Sequence, residues 1–373
     1  MDRRGRSRIP SPNRPAGTSM TLAVNLAQGA SNNVTFRNRI INGNMVISQR
    51  GTSFSAPANG DYTLDRWQYI SSQSGKVAIT QDTSVYPVGF TSSLKATSSS
   101  AYSVGASEKF TIRQCIEGLN TTDLAWGTAN AKTVTLSAWV YSSLTGTFGG
   151  SLYNYDTNYF YPFSYSIPTA NTWTQISVTI AGPTSGTWLT TNTGSIEVGF
   201  SLGAGATVSG TAGTWGSTVY FSATGATSVV GTNGATFYIT GVMLEKGSTA
   251  TSFDYRPYGT ELVLCQRYFQ KISGGINGGP YQQFGMLAYE GTTTAWGTIP
   301  LRVTMRAQPT SAYSGPFTIS YGTQGTFIND TNQTGGDIAV MGFSTGSGGA
   351  AGYSAYVRAT NSNSAFMSFS AEL

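Results

Sequence analysis

The chain of 373 residues has no histidine and only two cysteines, Cys115 and Cys265. Without an imidazole, no Ser-His-Asp or Cys-His nucleophilic arrangement can be built from this chain. The usual histidine-containing zinc sites are excluded with it. The two cysteines form no Cys-x-x-Cys pair; they read as buried free thiols, with a disulfide as the alternative. Charge is scarce as well, at 10 % of residues where ~25 % is usual. No apolar run approaches the ~18 residues of a membrane-spanning helix, and no signal-peptide core opens the chain. Neither membrane insertion nor ordinary secretion is expected; release by cell lysis fits.

The net charge of +5 is concentrated at one end. Arg3, Arg4, Arg6, Arg8 and Arg14 are opposed there only by Asp2, which leaves 16 basic and 15 acidic residues from residue 15 onward. Between Lys132 and Lys246 there is no Lys or Arg. A neutral body has no electrostatic grip on phosphates, so nucleic acid is not an expected partner. Pro10, Pro12 and Pro15 make residues 1–36 read as a flexible N-terminal arm. Met20 heads a second start-like phrase, MTLAVNLAQGAS, so residues 1–19 need not be native.

Glycine, serine, threonine, asparagine, tyrosine and phenylalanine fill the space left by charge. That mixture favours turns and β-strands over helices. Alternation then places the strands. Val134, Leu136, Ala138 and Val140 share one face of 133–141; Ile176, Val178 and Ile180 share one face of 173–180. Ile196, Val198, Phe200 and Leu202 do so in 196–202, and 235–245 is apolar on both faces, as a central strand would be. The expected fold is all-β: a jelly-roll β-sandwich over 61–258, then a short helix and a smaller C-terminal β domain over 273–373. Strands of that second domain are expected near 296–305, 315–322, 337–344, 353–360 and 364–373. Before the sandwich, Asn42-Gly43 reads as a tight hairpin turn between Ile40-Ile41 and Met45-Val46-Ile47.

One stretch breaks the β pattern. In "YGTELVLCQRYFQK", Thr260 can cap a helix, and Leu262, Cys265 and Phe269 fall on one face. A helix over 259–271 is too short to hold alone. It is either a linker packed on its neighbours or an assembly contact.

The phrases RNRIINGNMVISQRGTSF, YTLDRWQ, GVMLEKGSTATSFDYRPYGTELVLCQRYFQK and IPLRVTMRAQPT together resemble tailed-bacteriophage tail-fibre and minor virion structural proteins. They spread over residues 37–310, and the adjacent LEKGSTATSFDYRP and LCQRYFQK are the most specific of them. The resemblance implies a carbohydrate-binding-module-like jelly roll, a virion-anchoring segment at 37–60 and a helical neck at 259–272. It also implies a homotrimer that meets other virion proteins through its N-terminal region and a host surface glycan through its loops. Leu262, Cys265 and Phe269 would then meet symmetry mates. The protein would be made in the host cytoplasm and end in the phage particle. A non-receptor-binding decoration protein of capsid or tail is the alternative, and a polysaccharide depolymerase a further one.

Catalysis is not expected. A glycosidase needs two carboxyl groups ~5 to 9.5 Å apart; the pairs nearest in sequence, Asp61 with Asp65 and Glu245 with Asp254, adjoin Arg66 and Arg256 and read as ion pairs. Asp61, Asp65 and Glu245 are conceivable ligands of a structural Ca²⁺, although no loop has a calcium spacing. The glycine-rich stretches lack the Lys-Ser/Thr of a phosphate loop. Sugar binding has more behind it, because ring stacking needs exposed aromatics beside amides and carboxylates. Trp139 and Tyr141 face away from the apolar side of their strand. The loop-like SLYNYDTNYFYPFSY adds Tyr153, Tyr155, Asp156, Asn158, Tyr159 and Tyr161. A subunit contact is the alternative use of these rings.

Overall fold

The computed structural model describes residues 37–273, 280–319, 323–329, 335–345 and 349–373. The expected arm, 1–36, and the glycine-rich 274–279 lie outside the described residues. Everything below belongs to one compact unit, Asn38–Leu373.

The sandwich is built from β1 (Ser53–Phe54), β2 (Gln68–Ser71), β3 (Val77–Asp82), β4 (Ser93–Ser98), β5 (Lys109–Glu117), β6 (Val134–Ser142) and β7 (Gly146–Asn154). It continues with β8 (Phe160–Ile167), β9 (Thr174–Ile180), β10 (Gly194–Ala204), β11 (Ser209–Gly210), β12 (Ser222–Ala223) and β13 (Thr236–Lys246). One sheet has six strands in the order β1-β3-β4-β13-β6-β9; the other has five, β2-β5-β10-β7-β8. Their ladders are antiparallel. This is an all-β jelly-roll sandwich, as the alternation requires. Leu136 and Val140 of β6, Val198 and Phe200 of β10, and Leu152 and Phe163 of β7 and β8 meet in the core between the sheets. Each such side chain contributes ~1.5–3 kcal/mol on burial. β13 is central, as its two apolar faces predict.

Residues 151–165 are not a loop. They form the end of β7, a five-residue turn at 155–159 and most of β8, and Leu152, Tyr161, Phe163 and Tyr165 point into the core. Tyrosine at core positions hid the period-2 pattern.

Of the segment expected to anchor the virion, 37–60, the first part packs inside the chain, while most of 52–59 is exposed. Ile40 and Met45 are wholly buried, and Asn38 Nδ2 donates to Val242 O at 3.0 Å. Ile41 and the Gln114 side chain exchange two hydrogen bonds of 2.8 Å. Asn42 does adopt a positive φ of 57°, but no hairpin strands flank it. Gly43 instead lies against β13, where a β-carbon would meet Val242 O at 2.2 Å. Close approach, rather than a hairpin, is why glycine stands there.

The helix α1 (Tyr258–Gln266) is shorter than the pattern predicts and begins after Pro257, so Thr260 lies within it and does not cap it. Leu262, Cys265 and Phe269 do not share one helix face. Cys265 is fully buried in a cluster with Ile41, Ile47 and Tyr268, against which Leu262 packs. Phe269 is not helical: it begins the strand β14 (Phe269–Ser273), under the guanidinium of Arg50 at 3.6 Å. The aromatic pair Tyr268-Phe269 favours extended backbone, and β14 finds a ladder partner at Ser370.

The C-terminal domain contains β14, β15 (Gln283–Tyr289), β16 (Thr294–Pro300), β17 (Thr310–Ser314), β18 (Phe317–Ile319), β19 (Thr323–Asn329), β20 (Ile338–Thr345), β21 (Ser354–Ala359) and β22 (Phe366–Ser370). Six of these close a barrel in the order β15-β16-β20-β19-β18-β21, and β14-β22-β17 form a separate three-stranded sheet. Leu287, Ile299, Phe317, Met341, Phe343 and Val357 are among its core. Residues 301–305, expected to continue a strand, do not.

Candidate functional site

The sequence candidates fall into separate places. Trp139 and Tyr141 do face outward from β6, but on the six-stranded sheet, whereas the tyrosine-rich hairpin belongs to the five-stranded one. Tyr141 packs edge-on to Tyr238 and tilted to Trp173, at 5.0 and 5.5 Å. Trp139 lies against Gly241 and shares that contact with Phe90. Both tryptophan and tyrosine are half-buried.

In the hairpin, Tyr153 is interior. It stacks on Phe160 at 4.9 Å, meets Phe221 edge-on, and accepts a 2.8 Å hydrogen bond from Arg113. Burial, with Glu197 nearby, pushes its phenol well up. Tyr161 is 8 % exposed and packs on the core. What remains at the surface is the turn between β7 and β8. Tyr155 is 43 % exposed, and Asp156 and Asn158 are exposed beside it. A β-carbon on Gly194 would fall 2.6–2.7 Å from two atoms of the Tyr155 ring. The ring thus rests on a glycine and keeps another side open. Tyr159 lies parallel to Trp215, 5.4 Å between centroids and 7° between planes.

Trp215 leads to residues that the sequence reading passed over. Trp126, Trp188 and Trp215 contact one another edge-on, with centroids 4.8, 5.6 and 5.7 Å apart. They come from three loops: after β5, between β9 and β10, and between β11 and β12. Each indole N–H donates to a backbone carbonyl: Trp126 to Lys132 and Trp215 to Ala181 at 2.8 Å, Trp188 to Ser185 at 3.2 Å. The N–H groups are thereby satisfied and the rings fixed; Trp126 is buried in the core and supports the other two, so the ring surface left for binding is that of the half-buried Trp188 and Trp215. Gly216 and Phe160 exchange backbone hydrogen bonds that pin the Trp215 loop to β8. Asn154 Nδ2 donates to Thr187 O at 2.8 Å and ties the hairpin to the Trp188 loop. Thr122, Trp126, Trp188, Thr190 and Ser195 line a small hollow of about 30 Å³. One signal existed: Gly-Thr-Trp occurs at 186–188 and again at 213–215, and Trp-Gly-Thr at 126–128, each a tryptophan inside turn residues.

The carboxylates are otherwise employed. Asp65 accepts two 2.6 Å hydrogen bonds from Gln49 and lies 4.0 Å from Arg50, not paired with Arg66. Burial outweighs these contacts and pushes its carboxyl up. Arg256 pairs with Glu261 at 3.2 Å, not with Asp254. Asp61 accepts from Ala58 N, and Glu245 takes both donors of Thr251, each at 2.7 Å. The candidate calcium ligands Asp61, Asp65 and Glu245 therefore serve local contacts, and among the described residues no three metal-ligating side chains gather. Cys115 and Cys265 are free buried thiols. No helix among the described residues is long and apolar enough to cross a membrane.

No protein-family model and no curated protein matches this chain. Solved structures similar to it are carbohydrate-binding modules and a phage tailspike domain. The enzymatically active domain of bacteriophage CBA120 tailspike protein 4 is 14 % identical, over 56 % of this chain and 21 % of that one, with a TM-score of 0.31. The chain thus spans about a fifth of that tailspike chain's length. A family 61 carbohydrate-binding module in complex with β-1,4-galactotriose is 12 % identical, over 57 % of this chain and 99 % of its own, with a TM-score of 0.29. A family 11 module from Clostridium thermocellum, in complex with a β-1,3-1,4-mixed-linked tetrasaccharide, is 8 % identical over 54 % and 99 %, with a TM-score of 0.28. At these values the likeness carries no argument about what this chain binds.

Proposed function

We propose that the protein is a structural and attachment protein of a tailed-phage virion, a homotrimer that holds a host surface glycan at the tryptophan-lined end of its sandwich. The observation that carries this reading is the loop cluster itself. Trp126, Trp188 and Trp215 touch one another, Tyr159 stacks on Trp215, and Tyr155 lies on Gly194. Asp156 and Asn158 stand exposed beside them. Fixed rings bind the apolar faces of sugar rings, and an adjoining carboxylate and amide meet the hydroxyls. The phrases spread over residues 37–310 support the virion part of the reading. Since Asn38–Ile47 is packed on the sandwich core and on the cluster around Cys265, contacts with other virion proteins through the N-terminal region fall to the residues before it and to the exposed residues of 52–59. The protein acts by binding and not by bond cleavage, with its buried carboxylates engaged by arginine, tyrosine, glutamine or threonine.

The test is competition. Host cells are incubated with the purified full chain, then with phage, and adsorption is counted. Adsorption is expected to fall, and Trp188→Ala and Tyr155→Ala are expected to restore it. A folded, oligomeric chain that leaves adsorption unchanged would overturn the attachment reading in favour of a decoration protein.

A further inference from the structure

A second flat ring lies on the outer wall of the C-terminal barrel. Trp296 of β16 and Gly342 of β20 are register partners. A β-carbon on Gly342 would fall 2.7–2.8 Å from Cε3, Cζ3 and Cη2 of that indole. Near-equal distances to three consecutive ring atoms mean that the glycine meets the face of the ring, not its edge. The opposite face is turned away from the barrel wall. Nε1 donates to Glu290 Oε2 at 2.9 Å, which fixes the ring in its plane and places a carboxylate at its edge. On the other side of Trp296 the register partner is Ala288, exposed and too small to cover it.

The same wall continues across β15 and β21. Ser354 pairs with Ala288, and Tyr356 pairs with Met286, which is 63 % exposed. Beyond them the Arg358 guanidinium lies 5.2 Å from the Tyr281 ring and 5.5 Å from the Tyr356 ring. Its Nε is buried without a hydrogen-bond partner. The wall therefore offers a glycine-backed indole with a carboxylate at its edge. Small residues leave room around the ring, and an oriented guanidinium stands further along.

We propose that this wall is a second saccharide-binding platform, distinct from the loop cluster of the sandwich. A pyranose ring lies on the open face of Trp296, its hydroxyls reaching Glu290, and the ligand runs over Met286 and Tyr356 toward Arg358. A strand rises ~3.3 Å per residue, so Arg358 lies ~13 Å along from the register level of Trp296. That span selects an oligosaccharide over a monosaccharide. An indole face with a carboxylate at its edge and small residues around it favours a hydroxylated ligand, whose ring lies on the indole while its hydroxyls reach the carboxylate; an interface between copies, which draws on Trp, Tyr, Met and Arg, is the alternative outcome.

The full chain labelled with 5-fluorotryptophan has seven fluorine reporters, one per tryptophan. Trp296→Phe assigns the barrel signal, and the six remaining signals verify folding. Cellotriose, maltotriose and chitotriose are titrated separately. At least one is expected to move the Trp296 signal, and Arg358→Gln is expected to weaken that titration about tenfold. A Trp296 signal that stays still with all three, or one that moves only with protein concentration, would overturn the proposal; the second result would make the wall an interface between copies. Trp188 and Trp215 report the sandwich loops separately, so each site can fail without the other.

Discussion

The Arg66 guanidinium, buried in the sandwich domain, donates to the carboxylate of Glu372, the penultimate residue of the sequence and part of the barrel side. Arg66 also donates to Cys115 O and lies 3.6 Å above the ring of Tyr268. Arg50 reaches the other oxygen of Glu372 at 3.0 Å. The sandwich, the start of β14 and the residues after β22 thus meet around one buried ionic knot, within a single compact unit. Removing one partner from such a pair strands the other charge, which costs ~3–5 kcal/mol, whereas replacing both by apolar groups can be nearly neutral. Glu372→Ala is expected to lower the urea midpoint strongly, and the Arg66→Met, Glu372→Leu double variant to recover part of the loss, Arg50 keeping only Asp65, at 4.0 Å, as an acidic partner. Two single changes that simply add would refute the coupling.

Glu117 gives a pH dependence of defined sign. Burial pushes its carboxyl up, but hydrogen bonds from Arg267 and Tyr268, with the Arg267 and Arg306 charges, outweigh it and hold the group below its ordinary value. The unfolded state titrates near ~4.3. The stability that Glu117 contributes is therefore present above that value and is lost as pH falls through the lower folded one. Asp65, pushed up by burial, works in the opposite sense: its contribution is present at acid pH and lost as pH rises through the folded value. Chemical denaturation across acid pH should show the gap between wild type and Glu117→Gln narrowing on acidification. The gap between wild type and Asp65→Asn should widen. The reverse order would show that one of the two environments is misread.

The segment 258–269 separates packing from assembly. Phe269 is buried beneath Arg50, while Val263 on α1 is 47 % exposed. Phe269→Asp places an unpaired charge in the interior and is expected to cost about 3 kcal/mol or more. Val263→Asp is expected to change thermal stability by less than about 0.5 kcal/mol. If α1 packs on neighbouring copies in the proposed trimer, light scattering on Val263→Asp shows a smaller particle at unchanged fold. An unchanged particle would remove α1 from the assembly contact.

The sequence by itself determined the class of this protein. Scarce charge, abundant turn residues and period-2 alternation in β6, β9 and β10 require a sandwich, because side-chain direction along a strand is a local property. The central place of β13 was legible for the same reason: a strand covered on both faces is apolar on both. The absence of histidine narrowed the chemistry without any structure. Tertiary structure alone decided what each aromatic does. Tyr153 and Tyr155 lie in one hairpin, yet Tyr153 is interior and Tyr155 is at the surface, since the loop carrying Phe221 covers one and not the other. It also decided that Arg66 pairs with Glu372 and not with adjacent Asp65, and that Trp126, Trp188 and Trp215 converge from three loops. Convergence depends on register and on long-range closure of the sheets, and neither leaves a mark in the spacing of residues along the chain.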